Sequence, residues 1–249
     1  MSLATAMATS GAALSSRSGR LDNRLLAFVK TIFNLRLGWW LGNPRDPESR
    51  AAAAPKFSMI AFCSELFGTS LRTRDWINLS DGGHFENLAV FELLQRGCSQ
   101  IVCIDAGADP ARDFSDLANL VRTARAELNV DIVLDSPWRI GPPSLGPDGR
   151  HCAVFRIDYP NGRHGRLLYI KTAIYDGGAI APVDAVSYYR EHPAFPHEST
   201  VDQFFTAAQF ESYRRLGEET VRALSGQAAP LASIDEFFAG AERHLAAGG

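Results

Sequence analysis

The sequence predicts an α/β fold with a mainly parallel central sheet, and three observations carry that prediction. Apolar runs at 76–79, 101–104 and 131–134 have the length of short strands. Segments with apolar residues at helical spacing, 85–95 and 113–128, separate them. Glycine and proline punctuate the boundaries, as at Gly97 and Pro110. Strand–helix–strand–helix–strand order is the pattern of parallel strands joined by crossover helices.

Composition agrees with a folded core. The chain has 249 residues, 46% hydrophobic and 21% charged, which excludes a disordered chain, a collagen-like chain and a small disulfide scaffold. The net charge of −3 supplies no overall basic field, so a nucleic-acid partner is not expected. The charge is uneven, however. Residues 1–56 hold eight Lys/Arg and three acids, leaving −8 on the remainder. A basic, aromatic-bearing first quarter suits an anionic membrane surface; a solvated face with clustered charge is the plainer account.

The elements follow in order. Residues 1–20 are rich in Ala, Ser and Gly and read as a helix end followed by a loop. Residues 22–37 read as a helix capped by Asp22 or Asn23 and stopped by Gly38, Gly42, Asn43 and Pro44. The stretch Leu25 to Leu41 carries Lys30, Asn34 and Arg36, too many polar groups for a spanning helix. It could lie at an interface on Phe28, Ile32, Phe33, Trp39 and Trp40. A polar connection at 43–55 leads to a helical 57–71. Trp76 to Leu79 is a strand ending in Ser80-Asp81-Gly82-Gly83, and 85–95 is the helix after it. Ile101 to Ile104 is continuously apolar, as in a strand buried on both faces. After the 113–128 helix and the 131–134 strand, 137–149 is a loop. Strands at 152–159 and 167–174 form a hairpin across Pro160-Asn161-Gly162-Arg163. Helices at 200–224 and 233–246 end the chain. No internal repeat or domain boundary is visible, so 1–249 reads as part of a single domain.

Four cysteines, Cys63, Cys98, Cys103 and Cys152, show no metal-ligand spacing. Reduced thiols in a reducing compartment follow, with Cys103 as a small buried hydrophobe. No charged n-region opens the chain, and a cytoplasmic location, peripheral at the membrane, is expected. No cofactor is expected.

Chemistry is expected at the carboxyl ends of the strands, where Asp81 and Asp105 fall. Gly82 and Gly83 let the backbone turn sharply beside Asp81. The following helix would supply amide donors and a partial positive charge, so the carboxylate would stay ionised and able to accept a proton. The plainer account of Asp81 is a turn residue capping that helix.

The wider string Asp81-Gly82-Gly83-His84-Phe85-Glu86-Asn87-Leu88 is more specific. It resembles the aspartate block of patatin-like and cytosolic phospholipase A-type acyl hydrolases. Ala4 to Ala13 resembles the Ala-Ser-x-Ala segment that precedes it in that family, and the two occur in family order. The likeness covers roughly residues 1–110; the 33–44 and 195–217 stretches resemble long bacterial members. The resemblance implies a three-layer α/β/α domain and lipid acyl-ester hydrolysis by a Ser–Asp dyad. Asp81 would be the dyad aspartate, with Gly82, Gly83 and Asn87 shaping and supporting its turn. A serine would attack the acyl carbonyl, the aspartate would take its proton, and a glycine-rich loop would hold the oxyanion.

The sequence departs from the family in one respect. No G-x-S-x-G occurs in it, nor an upstream glycine-rich loop, and Ala8 stands where an elbow around Ser10 would need glycine. The expectation is a carboxyl-terminal part of the catalytic domain, an incomplete domain that exposes apolar surface and is inactive by itself. Its partners would be the missing amino-terminal half and lipid acyl esters or a membrane surface. Two other readings stand beside it. One is a non-catalytic lipid-surface or protein-binding remnant of the fold. The other is a metal-dependent hydrolase using His84, Asp105 and Asp109, although no metal-ligand spacing supports it. His192 and His197, beside Pro193 and Pro196, read as surface loop residues.

Overall fold

The structure, a computed structural model, describes residues 39–43, 46–47, 76–79, 85–175, 182–199, 204–226 and 233–247. The expected helices at 22–37 and 57–71, Ser10 with its block, Cys63, and the Asp81-Gly82-Gly83-His84 turn lie outside the described residues. Two compact units divide the chain, 1–87 and 88–249. In the first, β1 (Trp39–Gly42) pairs antiparallel with β2 (Trp76–Leu79), Trp39 opposite Leu79 and Gly42 opposite Trp76. The expected strand at 76–79 is therefore present, but its partner is β1, in a sheet separate from the one that holds the later strands.

The second unit is a mixed α/β domain. In chain order it contains α1 (Phe91–Gln95), β3 (Gln100–Asp105), α2 (Ser115–Thr123), β4 (Asp131–Leu134), β5 (Cys152–Asp158), β6 (His164–Lys171), α3 (Val183–Glu191), α4 (Ala207–Leu224) and α5 (Ile234–Ala246). The four strands form one sheet in the order β3-β6-β5-β4. Only β3 and β6 pair in parallel; β6–β5 and β5–β4 are antiparallel. The expectation of a mainly parallel sheet is corrected here, and the reason is topological. The crossover through α2 returns β4 in the direction of β3, but three positions away, and the two strands of the β5–β6 hairpin fill the gap between them.

The hairpin forms where the turn chemistry demands it. Gly162 has φ +76°, in the left-handed region that favours glycine. The Asn161 carboxamide oxygen accepts the Arg163 N–H at 3.1 Å, and the Tyr159 N–H donates to the Arg163 carbonyl at 2.9 Å. Cross-strand pairing then runs from Asp158–His164 to Cys152–Ile170.

Alternation along the two central strands divides their side chains between faces. Ala153, Phe155, Ile157, Leu167 and Tyr169 join one buried cluster with Leu94 of α1 and Leu117 and Leu120 of α2. Cys152, Val154, Leu168 and Ile170 join a second with Leu224 of α4 and Phe238, Ala241 and Leu245 of α5. Helices thus cover both faces of β5 and β6. The outer strand β3 differs from expectation: Ile101 and Cys103 are buried, but Ile104 is 66% exposed. A run read as doubly buried is covered fully on one face only, because β3 is the last strand of its sheet.

Local backbone sets the remaining boundaries. The helix expected at 85–95 is confined to 91–95, since 85–90 form turns and bends and Ala89 is left-handed, φ 56°. The segment from α2 continues as a π-helical turn to Leu128 and stops at left-handed Asn129. Thr206 and Ser233 cap α4 and α5 by accepting the N–H of Gln209 and Glu236. Cys98, Cys103 and Cys152 are thiols outside any disulfide, and burial pushes the Cys152 thiol up to about 12. Among the described residues, no helix is long and apolar enough to cross a membrane.

Candidate functional site

Two groups of polar side chains gather where β3 and β6 end. The first follows from register. Parallel pairing sets Cys103 beside Tyr169 and Asp105 beside Lys171. Asp105 and Lys171 are both buried, 4% and 2% exposed. The Asp105 carboxylate accepts from Tyr169 Oη at 2.5 Å and from the Gly107 N–H at 2.9 Å, and it pairs with Lys171 Nζ at 2.9 Å. Lys171 Nζ also donates to the Gly107 carbonyl at 2.9 Å. Burial first, then the bond to Asp105, holds the Tyr169 phenol far above its ordinary range. Every oxygen of the carboxylate is engaged, so the group closes the turn after β3 rather than presenting itself to a ligand. A Cβ at Gly107 would sit 3.1 Å from Asp105 Oδ1, which is why a glycine fits this turn.

The second group is built by the loop after that turn. Asp109 accepts the N–H groups of Asp113 and Phe114, each at 3.1 Å, and so bends the chain into α2. Arg112 and Phe114 both take left-handed φ, 55° and 52°. That backbone costs roughly 1–2 kcal/mol per residue for a side chain with a Cβ. Arg112 Nη1 donates to the Thr172 carbonyl at 3.3 Å. Among the described residues it has no carboxylate within ion-pairing distance, and desolvation lowers its pKa.

His197 faces the same region from the segment after α3. Its Nδ1 accepts the Asp109 N–H at 3.2 Å, which puts the ring proton of the neutral form on Nε2. Nε2 is buried and has no hydrogen-bond partner among the described residues. Burial, reinforced by Arg112 and Lys171, lowers the His197 pKa to about 4. The residue is 6% exposed, which corrects the expectation of a surface histidine. Phe195, packed between Tyr188 and Tyr213, draws this proline-flanked segment inward.

Arg112 and His197 line a cavity of about 630 Å³, whose other walls include Phe114, Trp138, Ile140 and Ile174. Trp138 stands edge-on between Phe114, at 4.8 Å, and Phe155, at 6.4 Å. Tyr175 fixes the opposite wall: its hydroxyl donates to the Arg150 carbonyl at 2.7 Å and accepts the Gly141 N–H at 3.3 Å. The volume lies in the ~300–1,000 Å³ range of small-molecule sites.

The sequence-derived site maps onto this only in part. Asp81, Gly82, Gly83 and His84 lie outside the described residues; Asn87 is exposed on the bend before α1. Asp105 occupies a supporting position. Of the metal alternative's three residues, His84 lies outside the described residues, Asp105 is closed by Lys171 and Tyr169, and Asp109 is engaged by backbone amides. Arg112, Lys171 and His197 escaped sequence reasoning. The signal available for Arg112 was its place two residues after Pro110, in the loop leaving a strand end. Comparison with family models, curated proteins and solved structures finds no match to this chain.

Proposed function

We propose that the chain is the aspartate-bearing part of a patatin-like lipid acyl-ester hydrolase. The observation that carries the reading is the string Asp81-Gly82-Gly83 with Asn87-Leu88, which follows the end of β2 in the sequence and precedes α1 and β3. Asp81 is the base of a Ser–Asp dyad, Gly82 and Gly83 form its turn, and Asn87 supports it. The serine and oxyanion donors come from a segment outside these 249 residues, because no G-x-S-x-G occurs within them. Helices on both faces of the central strands support a three-layer α/β/α domain of the patatin kind. The basic first quarter supports peripheral contact with an anionic lipid surface.

The test is Asp81→Asn in the full-length protein, or in a complex with the missing half, assayed on one acyl ester. The substitution keeps the size and an acceptor but removes the charge that takes the serine proton. We expect a loss of about 10²–10⁴ in turnover with an unchanged circular dichroism spectrum. Near-normal turnover contradicts the dyad. Turnover that requires added divalent metal and collapses on His84→Ala gives the site to a metal-dependent hydrolase instead. A second reading, a binding domain without catalysis, is favoured by one observation: the second unit holds a cavity of about 630 Å³ lined by Arg112, which makes one hydrogen bond among the described residues.

A further inference from the structure

We propose that the Arg112–His197 cavity binds a monocarboxylate with an apolar body. Three features carry the inference, none of which depends on Asp81 or on the acyl-hydrolase reading.

The first is unsatisfied donors. A guanidinium has five N–H groups, and Arg112 places one of them on a backbone carbonyl at 3.3 Å. His197 lines the same cavity, and its Nε2 has no hydrogen-bond partner among the described residues. A donor left without a partner is costly, and a ligand oxygen on the Arg112 guanidinium would recover that cost. The second is charge. Of the groups around His197, Asp105 and Lys171 neutralise one another and Asp109 is held by two amides. Among the described residues Arg112 is then the one cation that lines the cavity, with the uncharged Tyr189 and His197 side chains beside it. That balance fits a single negative charge; a phosphate dianion would need a second cation. The third is the lining. Phe114, Trp138, Ile140 and Ile174 offer an apolar wall to the rest of the molecule, and burying it there is favourable at about 25 cal/mol per Å².

The geometry also accounts for an otherwise costly backbone. Left-handed Arg112 and Phe114 bracket the loop that aims both side chains at the cavity. Strain of this kind persists where the surrounding structure requires a particular placement.

The experiment is isothermal titration calorimetry on the full chain at neutral pH, with octanoate as the probe and octanol, octyl phosphate and inorganic phosphate as comparisons. We expect one octanoate per chain, weaker binding of octyl phosphate, and no comparable binding of octanol or inorganic phosphate. Arg112→Gln should weaken octanoate at least tenfold, the ~1.5–3 kcal/mol of a hydrogen bond to a charged group. Ala194→Trp, at an exposed position on the cavity wall, should block binding without touching either polar group, and it serves if Arg112→Gln fails to fold. Equal affinity for octanol and octanoate overturns the carboxylate. Tighter binding of octyl phosphate gives the site to phosphate. Undiminished octanoate binding in a folded Arg112→Gln or Ala194→Trp chain overturns the location. Calorimetry reads binding without turnover, so failure here leaves the Asp81 assay standing, and failure of that assay leaves this inference standing.

Discussion

The Asp105–Lys171–Tyr169 group and the Arg112–His197 group lie at the ends of the same two strands, yet they are opposites. In the first, two charges are buried against each other and every carboxylate oxygen has a donor. In the second, Arg112 and His197 line a cavity, and among the described residues the guanidinium makes one hydrogen bond and the imidazole Nε2 none. A closed polar group fixes a turn; an open one awaits a partner. The difference shows why burial of a charged residue alone does not mark a site: the decisive quantity is what its donors and acceptors already touch.

The largest expected effect lies in the closed group. Lys171→Met leaves Asp105 buried without its cation and should cost about 3–5 kcal/mol of stability in urea unfolding. The added change Asp105→Asn should recover part of that loss. A Lys171→Met chain as stable as the parent would mean the pair is not closed as described.

Acid sharpens the comparison next. His151 and His197 are buried with pKa lowered to about 3 and about 4, and His244 is lowered in the same direction, each chiefly by desolvation. The unfolded chain takes up these protons near 6.5 and the folded chain only at lower pH. Stability should therefore fall as pH drops below about 6.5, with His151 contributing up to about 1.4 kcal/mol per pH unit. Thermal unfolding between pH 7 and 4.5 measures it. Bound octanoate should leave the His151 part of that slope in place, since His151 sits against Tyr175 and not on the cavity.

The smallest effect belongs to the open group. Arg112→Gln should change the stability of the ligand-free protein by less than about 1 kcal/mol, because it removes one long contact to a backbone carbonyl. A loss as large as that of Lys171→Met would make Arg112 a structural residue and remove the contrast.

The sequence predicts the elements of the second unit better than their arrangement. The β5–β6 hairpin was legible because Asn161-Gly162 specifies its own turn, and α5 because Ser233 and the spacing of Phe238, Ala241 and Leu245 mark its cap and face. Strand order was not legible: no local signal says that a hairpin enters between β3 and β4, so alternation alone suggested a parallel sheet. The short α1 reflects one left-handed residue, Ala89, which propensity does not reveal. The α3 helix, Val183–Glu191, presents Tyr188 and Tyr189 among polar residues and has no clear apolar stripe. His197 was hidden for a tertiary reason, since its burial depends on Phe195 packing against Tyr188 and Tyr213. Asp81 stands apart, legible as a motif and outside the described residues.

The most direct test of the contrast is side-chain nitrogen NMR of the full chain with and without octanoate. The open group should respond: the Arg112 guanidinium and the His197 Nε2–H should shift and saturate together at one octanoate per chain. The closed group should not: the Lys171 ammonium should keep its position, as should the His151 ring, which does not line the cavity. Shifts that appear at Lys171 while Arg112 and His197 stay fixed would contradict the account, as would an Arg112 signal unchanged at saturating octanoate.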